Sequence, residues 1–194
     1  MFDIILASKS KVRLDILNKN NVVCSAKPSN VDEDEIKISM LKDGASPKDV
    51  SKNLAEIKAN KVSQNNLNKI VIGADSVIDL ENEIISKPKN RSEALEILRK
   101  LNGKTHFLIS SVCISKNGSM IWHYTDKAEL KMKTMTEDEL KLYLSKIEDE
   151  KLYAYNVYQI EGEGKNLFNS IKGDMDTIMG LPIKKIKEYL SNLK

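Results

Sequence analysis

Ile5-Leu6-Ala7-Ser8-Lys9-Ser10-Lys11-Val12-Arg13 is the stretch that decides the fold, because an apolar strand breaks there on small hydroxyl residues and restarts as a basic helix. A strand, a hydroxyl turn and a helix N-terminus together present free backbone N–H groups and positive charge to an anion. The stretch therefore predicts a site for a phosphorylated small molecule. Residues 72–76 and 86–88 add a carboxylate and a lysine at loop edges, which phosphate and metal chemistry would require.

The composition indicates one α/β domain over residues 1–194. With 194 residues and 41% apolar content, the chain is long enough for one substantial core and short for two. The 31 basic and 28 acidic side chains leave a net charge of +3, so nucleic acid is not a favoured partner. No apolar stretch approaches the roughly 20 residues of a membrane span, and we therefore expect a cytoplasmic protein without a membrane partner. Cys24 and Cys113 lack metal-ligand spacing and are expected to be reduced thiols.

Hydrophobic periodicity predicts alternating strands and helices in the first half of the chain. The predicted strands are 2–7, 22–26 and 69–73, and the predicted helices are 9–19 and 48–64. Asp75 is expected just past the C-terminal end of the third strand, where ligands gather in open α/β sheets. The polar and acidic segment 28–47 is expected to be a mobile surface connection.

Turn and capping signals organise the second half. A hairpin is predicted over 77–85 with its turn at Glu81-Asn82, followed by a helix that starts after Ser92 and ends at Gly103. Two further strands are predicted at 105–115 and 119–134, a helix from the capping box at Thr136 to about Ile147, and a last helix from Pro182. Gly162 and Gly164 suggest a tight turn or a close backbone approach by a ligand.

The chain resembles the Maf family of nucleoside triphosphate pyrophosphatases, whose opening motif reads Leu-Ala-Ser-x-Ser-Pro-Arg-Arg. Further landmarks follow in the family order along nearly the whole chain: Val31-Asp32-Glu33, 54–59, Gly73-Ala74-Asp75, Lys87-Pro88, 101–106, 161–164 and Gly180-Leu181-Pro182. The resemblance implies a Maf/ITPase-like α/β/α fold, with an elongated mixed sheet and a central cleft between two lobes. It also implies a homodimer and a divalent cation, Mg²⁺ or Mn²⁺, at the active site.

The reaction implied by this resemblance is hydrolysis of a nucleoside triphosphate between the α and β phosphates. Ser8, Ser10 and Arg13 would bind phosphate, and Lys58 and Lys87 would add point charges, with Lys87 also assigned to catalysis. Glu33 and Asp75 would bind the metal or its water, with Asp75 as the proton acceptor. The remaining substrate-binding positions are Val12, Ser76 and Glu161.

Taken singly, these residues also have ordinary structural interpretations. The two serines suit a helix N-cap, the lysines a solvated surface, Asp75 a turn after a strand, and Glu33 a solvated acidic loop. Only their joint order along the chain favours the functional interpretation. His106 and His123 are expected to be structural or surface residues, whereas the Tyr158 ring is placed near the nucleotide base.

Departures from the family pattern bear on the base. Lys11 and Val12 replace its proline and first arginine, Ser76 replaces threonine, and Glu161 replaces the glutamine of the uridine and thymidine enzymes. A glutamine amide both donates and accepts hydrogen bonds, whereas a carboxylate only accepts, which suits the N1–H and N2–H donors of guanine. The sequence therefore predicts a preference for a modified purine triphosphate such as 7-methyl-GTP. Ala154 stands where the family has a lysine. Whether Lys11 compensates for the arginine lost at Val12, and Lys151 for this lysine, stays open.

Three other functions stay open from the sequence: a dTTP/UTP pyrophosphatase, a broader house-cleaning pyrophosphatase, and a nucleotide-binding regulator of septum formation with little catalysis. The joint presence of Glu33, Asp75 and Lys87 argues against the regulator, because a pure binder needs phosphate contacts but no carboxylate that activates water.

Overall fold

The computed structural model describes residues 3–154 and 157–193, apart from the side chains of residues 151, 153 and 154. The strands are β1 (Ile4–Leu6), β2 (Ser25–Ala26), β3 (Ile70–Leu80), β4 (Glu83–Ile85), β5 (Thr105–Lys116), β6 (Ser119–Met132) and β7 (Phe168–Lys172). The α-helices are α1 (Lys11–Lys19), α2 (Glu33–Lys42), α3 (Pro47–Gln64), α4 (Arg91–Leu101), α5 (Glu137–Ser145), α6 (Asp149–Ala154), α7 (Met175–Ile178) and α8 (Ile183–Asn192). A 3₁₀ helix covers Glu163–Leu167.

The predicted mixed α/β class is confirmed. Within the described residues, seven strands form one sheet in the order β2-β1-β3-β5-β6-β7, with β4 paired to β3. The pairs β1–β2 and β1–β3 are parallel, whereas β3–β4 and β6–β7 are antiparallel. In the part of the chain that the structure covers, no helix is long and apolar enough to cross a membrane.

The described chain packs into two compact units. The first comprises residues 1–77, 109–127 and 174–194, and the second comprises 78–108 and 128–173. In the first unit, the apolar face of α3 meets one side of the strands through two small clusters: Ile5, Ala7, Val62 and Val71 form one, and Ala55, Ala59 and Cys113 form the other. The larger core on the opposite side joins α1 and α8 to Leu6, Ile72 and Ile114. Helices therefore cover both faces of the sheet in this unit.

The second unit has its own core, which contains His106. The ring of His106 is fully buried, lies 2.9 Å through Nε2 from the Tyr158 hydroxyl, and packs beside Phe168. Burial lowers the pKa of His106 to about 4. The structural interpretation of His106 is thus confirmed, and Tyr158, only 6% exposed, packs inside the unit.

Local sequence signals located several elements correctly. Thr136 and Glu139 form the expected capping box at the start of α5. The β3–β4 hairpin turns at Glu81 and Asn82, both with positive φ. Both described cysteines are free, with Cys113 buried and Cys24 half-buried.

The expected mobile connection at 28–47 is wrong over half of its length, because α2 occupies Glu33–Lys42. The Asp32 side chain caps this helix by accepting a hydrogen bond from the Glu35 backbone N–H at 3.0 Å. Acidic residues in a first turn stabilise the positive end of the helix dipole. The acidic run therefore marks a helix start rather than a loop.

The position expected for Asp75 is also wrong, since it lies inside β3 and not beyond a strand end. The small residues at 73–76 resemble a turn in sequence, yet their backbone continues in the sheet. Two smaller differences concern boundaries: Asn90 rather than Ser92 precedes α4 as its N-cap, and β2 covers only Ser25–Ala26.

The glycines at 162 and 164 belong to a tight turn. The Gly162 N–H donates to the Gln159 carbonyl at 3.1 Å. A Cβ at Gly164 would lie 2.6 Å from the same carbonyl oxygen, so the close approach comes from the chain's own backbone.

Candidate functional site

The register between β1 and β3 places the hydroxyl turn beside Asp75. The two strands are parallel, with Leu6 opposite Ile72, and the Ala7 N–H donates to the Ile72 carbonyl at 2.8 Å. β1 ends at Leu6 whereas β3 continues for eight more residues. The residues after Leu6 therefore leave the sheet alongside 74–76.

The hydroxyl turn is organised by its own side chains. Ser10 is the N-cap of α1 and accepts a hydrogen bond from the Arg13 N–H at 3.3 Å, while Ser8 Oγ accepts one from the Ser10 N–H at 3.1 Å. These bonds satisfy two backbone donors at the start of the helix. The N-cap interpretation of Ser10 is therefore confirmed, and phosphate binding by Ser8 and Ser10 stays a prediction.

Arg13 fastens this turn to β3 and to the segment before α8. Its Nε donates to the Gly180 carbonyl at 3.0 Å, one terminal nitrogen to the Ala74 carbonyl at 2.9 Å and to Ser8 Oγ at 3.4 Å, and the other to Ser76 Oγ at 3.1 Å. The acceptors at 74 and 76 flank Asp75 in the sequence. The guanidinium is thus held in one orientation next to the acidic residue.

Asp75 and Lys58 form a buried ion pair. Lys58 Nζ lies 2.8 Å from Asp75 Oδ1, and each of the two side chains is 5% exposed. The same ammonium lies 2.8 Å from Glu33 Oε1 at the start of α2, where the glutamate is 43% exposed. Two of the three N–H donors of Lys58 are therefore committed to carboxylates. The alternative interpretation of Lys58 as a solvated surface lysine is wrong, whereas its contact with substrate stays a prediction.

Gly73 permits this ion pair by letting α3 approach β3. A Cβ at Gly73 would lie 2.3 Å from the Ala55 carbonyl oxygen and 2.7 Å from the Ala59 nitrogen. Residues 73 and 75 share one face of the strand, so the helix that touches Gly73 also faces Asp75. The Ser51 hydroxyl of α3 donates to the Asp75 carbonyl at 3.2 Å and adds a second link.

The charges in this cluster act on one another. Burial alone would raise the pKa of Glu33, but the charge and hydrogen bond of Lys58, together with Lys37 and Arg13, bring the pKa below its usual value. Burial lowers the pKa of Arg13, and the charges of Asp75 and Glu33 oppose that change. Glu33 is therefore held as a carboxylate by three nearby cations.

Asp75 Oδ2 is the atom of this site that stands out. It is buried, and among the described residues it has no hydrogen-bond partner. Leaving a buried polar atom unpaired is costly, so such an atom in a charged site calls for an explanation such as an unseen water, an ion or a catalytic role. It can accept a proton or bind a cation, whereas Oδ1 is occupied by Lys58.

These two carboxylates fit a Mg²⁺ ion that also binds phosphate. Mg²⁺ prefers oxygen ligands and is usually held by one or two carboxylates, with waters and phosphate oxygens completing its shell. The unpaired Asp75 Oδ2 and the half-exposed Glu33 carboxylate supply such oxygens. No group of three or more His, Cys, Asp or Glu side chains arranged for a metal occurs in the described part of the chain.

The structure thus brings together six of the predicted residues in the first unit: Ser8, Ser10, Arg13, Glu33, Lys58 and Asp75. Ser76 joins them through Arg13. The Val12 side chain packs against the hydrophobic core, and its role in substrate binding stays a prediction.

Lys87 and Glu161 belong to the second unit, and both are exposed. Lys87 helps to line a cavity of about 330 Å³ beside β4 and α4. The roles of both residues stay predictions. Residues 155 and 156 and the side chains of Lys151 and Ala154 lie outside the described part of the chain.

Sequence reasoning missed Ser51, which bonds to the Asp75 backbone, and the role of Gly180 as an acceptor for Arg13. It also missed Ser110, whose hydroxyl lies 2.8 Å from that of Ser76, and Thr177, whose carbonyl accepts from Ser110. The Gly180-Leu181-Pro182 motif was a usable signal for Gly180, which has a φ of +98° and lies against Arg13. The hydroxyl residues carry no distinctive spacing, so only the fold reveals them.

The Maf-like protein family matches residues 3–193 of this chain. The chain belongs to the Maf family. A Maf relative from Pelagibacter ubique, named nucleoside triphosphate pyrophosphatase, is 67% identical over 192 residues, which cover 99% of this chain and 98% of the relative.

Two further comparisons are more distant. A Rhizobium etli protein named 7-methyl-GTP pyrophosphatase is 37% identical over 98% of this chain and 96% of its own length. A solved HAM1 protein from Coxiella burnetii aligns at 16% identity with a TM-score of 0.46, over 68% of this chain and 73% of that protein. The last likeness is too weak to support an inference about this Maf protein.

Proposed function

We propose that this Maf protein hydrolyses a nucleoside triphosphate to the monophosphate and pyrophosphate. The observation that carries the proposal is the buried Asp75 carboxylate, which Lys58 holds through Oδ1 while Oδ2 keeps its lone pairs without a described partner. The names of the relatives supply the reaction, and the charged site supplies the groups for it.

In the proposed mechanism, Asp75 Oδ2 accepts a proton from the attacking water. The water oxygen forms a bond to the α phosphorus as the bond from that phosphorus to the bridging oxygen breaks, and pyrophosphate leaves with the bonding electron pair. Lys58 orients Asp75 for this step, because the bond to Oδ1 fixes the carboxylate plane. A positioned general base of this kind contributes about 10²- to 10⁴-fold to the rate.

Positive charge and backbone donors would bind the triphosphate. Arg13 is held next to Asp75 and Ser8 by its hydrogen bonds, so little reorganisation is needed when charge develops on the phosphate. The hydroxyl turn at Ser8 and Ser10 adds the N-terminus of α1, which attracts anions. Lys87 is proposed to add a further charge.

A Mg²⁺ ion, or Mn²⁺ in its place, is proposed as the cofactor. Glu33 would bind the ion, and Asp75 would bind the ion or its water, so that Asp75 Oδ2 stays available to the attacking water; the ion would supply charge neutralisation for the phosphates. We further propose a cytoplasmic homodimer from the family resemblance, with light scattering after gel filtration as the test of the dimer.

Product analysis tests the proposed reaction directly. The protein is incubated with Mg²⁺ and each of 7-methyl-GTP, GTP, dTTP, UTP, CTP and ATP in ¹⁸O-labelled water. Release of monophosphate and pyrophosphate, with the label in the monophosphate, supports attack at the α phosphorus. Release of diphosphate and inorganic phosphate, or nucleotide binding without turnover, contradicts the proposal and favours the regulator.

We propose a preference for 7-methyl-GTP or a related purine over dTTP and UTP. The support is the exposed Glu161, whose carboxylate could accept hydrogen bonds from a guanine edge, and the relatives named 7-methyl-GTP pyrophosphatase. In the same panel, fastest turnover of UTP or dTTP would contradict this preference and leave the reaction in place.

A further inference from the structure

A chain of hydrogen bonds leads from Arg13 into the interior of the first unit. Ser76 Oγ accepts from Arg13 and lies 2.8 Å from Ser110 Oγ on β5. Ser110 in turn donates to the Thr177 carbonyl at 2.7 Å. The Thr177 hydroxyl donates to Asp126 Oδ2 at 2.7 Å.

The direction of this chain follows from counting protons. A hydroxyl has one hydrogen, and a carbonyl oxygen can only accept. Ser110 donates its one hydroxyl hydrogen to the Thr177 carbonyl, so it must accept a hydrogen bond from Ser76. The Ser76 hydrogen therefore points to Ser110, and its lone pairs face the Arg13 guanidinium.

Thr177 also holds Arg13 by a second route. Its carbonyl accepts from the Gly180 N–H at 3.0 Å, in addition to the Ser110 hydroxyl. The Gly180 carbonyl then accepts from Arg13 Nε at 3.0 Å. A Cβ at Gly180 would lie 3.1 Å from Ser76 Oγ and 3.4 Å from Arg13 Nε. Ser76, which belongs to the first route, and Gly180, which belongs to the second, therefore pack closely around the guanidinium.

We propose that Ser110, Thr177 and Asp126 are positioning residues that fix the orientation of Arg13 for the reaction. The inference rests on the proposed function, because it concerns the arginine assigned to phosphate. Ser110 and Thr177 are fully buried and touch neither of the two acidic residues of the site in the described contacts. Their effect on catalysis therefore passes through Arg13.

Arginine side-chain NMR tests the positioning itself. The chain has three arginines, at 13, 91 and 99, so ¹⁵N-labelled protein gives three Nε–H signals. The Arg13→Lys variant assigns the signal of interest by its disappearance. We expect Ser110→Ala and Thr177→Val to shift the Arg13 Nε–H signal and speed its exchange with water, because each breaks the chain at a different bond.

Two variants serve as matched controls. Ser111 is the next residue on β5, is buried, and shares a hydroxyl contact of 2.9 Å with Thr125, yet it points to the opposite face of the sheet. Ser111→Ala should leave the Arg13 signal unchanged. Thr177→Ser keeps the hydroxyl and removes only a methyl group, so it should resemble the unmodified protein if hydrogen bonding is what matters.

Turnover measurements then separate positioning from general stability. Ser110→Ala and Thr177→Val should lower kcat/KM for pyrophosphate release about tenfold, mainly through kcat, since small displacements of a positioned group cost up to about 10²-fold. In the Arg13→Lys background the same changes should have little further effect, because coupled residues are non-additive.

Three results would overturn the proposal. The first is an Arg13 Nε–H signal that is unchanged in both Ser110→Ala and Thr177→Val. The others are a loss of kcat/KM that is equally large in the Arg13→Lys background, or a larger loss of kcat/KM in Thr177→Ser than in Thr177→Val. If the unmodified protein releases no pyrophosphate, the proposed function fails. The NMR signal still decides whether these residues position Arg13.

Discussion

Replacing Gly73 by alanine should both destabilise the protein and disturb Asp75. The new Cβ would lie 2.3 Å from the Ala55 carbonyl oxygen, 2.7 Å from the Ala59 nitrogen and 2.8 Å from the Ala59 Cβ. Ordinary contacts begin near 3.4 Å, so α3 and β3 must separate by about 1 Å. The obstructing atoms are mostly backbone, which cannot rotate away as the end of a flexible side chain can.

The expected cost is about 3 kcal/mol, the upper part of the range for overpacked cores. For a chain of this size, that corresponds to a fall in Tm of about 6–12 °C. Because Lys58 lies on α3 between the two displaced alanines, its 2.8 Å contact with Asp75 should lengthen, and turnover at a temperature where the variant is folded should fall as well.

Thermal unfolding followed by circular dichroism measures the first effect, and pyrophosphate release measures the second. Gly162→Ala is a suitable control, since its Cβ would have its nearest neighbour at 3.8 Å and its φ is not positive. At about 2–4 °C per kcal/mol, a Tm change below about 1 °C would mean almost no loss of stability. Such a result for Gly73→Ala would refute the close packing of α3 on β3.

Three further predictions concern single carboxylates and a histidine. The pKa of His106 falls from 6.5 to about 4 on folding, so between these values the unfolded chain binds more protons than the folded one. This group should therefore make the free energy of unfolding about 2 kcal/mol smaller at pH 5 than at pH 7.5, as measured by urea unfolding. His106→Gln should remove this difference in stability between the two pH values, and His123→Gln should keep it. An equal difference in both variants would contradict the assignment of the pH dependence to His106. Glu33→Gln should raise the Mg²⁺ concentration for half-maximal turnover at least about tenfold, and an unchanged Mg²⁺ titration would exclude Glu33 as a metal ligand. Glu161→Gln should shift selectivity towards UTP and dTTP, because an amide also donates a hydrogen bond. Unchanged relative rates of pyrophosphate release across the nucleotide panel would exclude Glu161 as a residue that recognises the base.

Features encoded by neighbouring residues could be predicted from the sequence. The capping box at Thr136 and the turn at Glu81-Asn82, where both φ values are positive, depend on residues that are adjacent or three apart. The error at 28–47 has the same local origin. A run of acids fits either a solvated loop or the first turn of a helix, and the hydrogen bond from Glu35 to Asp32 decides for the helix.

The site could be predicted only as a list of residues, because its contacts join distant parts of the chain. Lys58 binds Asp75 17 positions away, and Arg13 binds Gly180 167 positions away. The sequence does not reveal that one lysine serves two carboxylates, since several other lysines have acidic neighbours. The continuation of β3 through Asp75 was missed for a related reason: small residues at 73–76 suggest a turn until the helix packed on Gly73 is seen.

Turnover by Asp75→Asn tests the central claim most directly. The asparagine oxygen can still accept the hydrogen bond from Lys58, but the amide nitrogen in place of Oδ2 cannot accept a proton. We predict that kcat for pyrophosphate release falls at least about 10²-fold, while the affinity for triphosphate, measured by calorimetry, changes less than about threefold. Undiminished turnover, or a loss of affinity as large as the loss of turnover, would contradict the assignment of Asp75 as the proton acceptor.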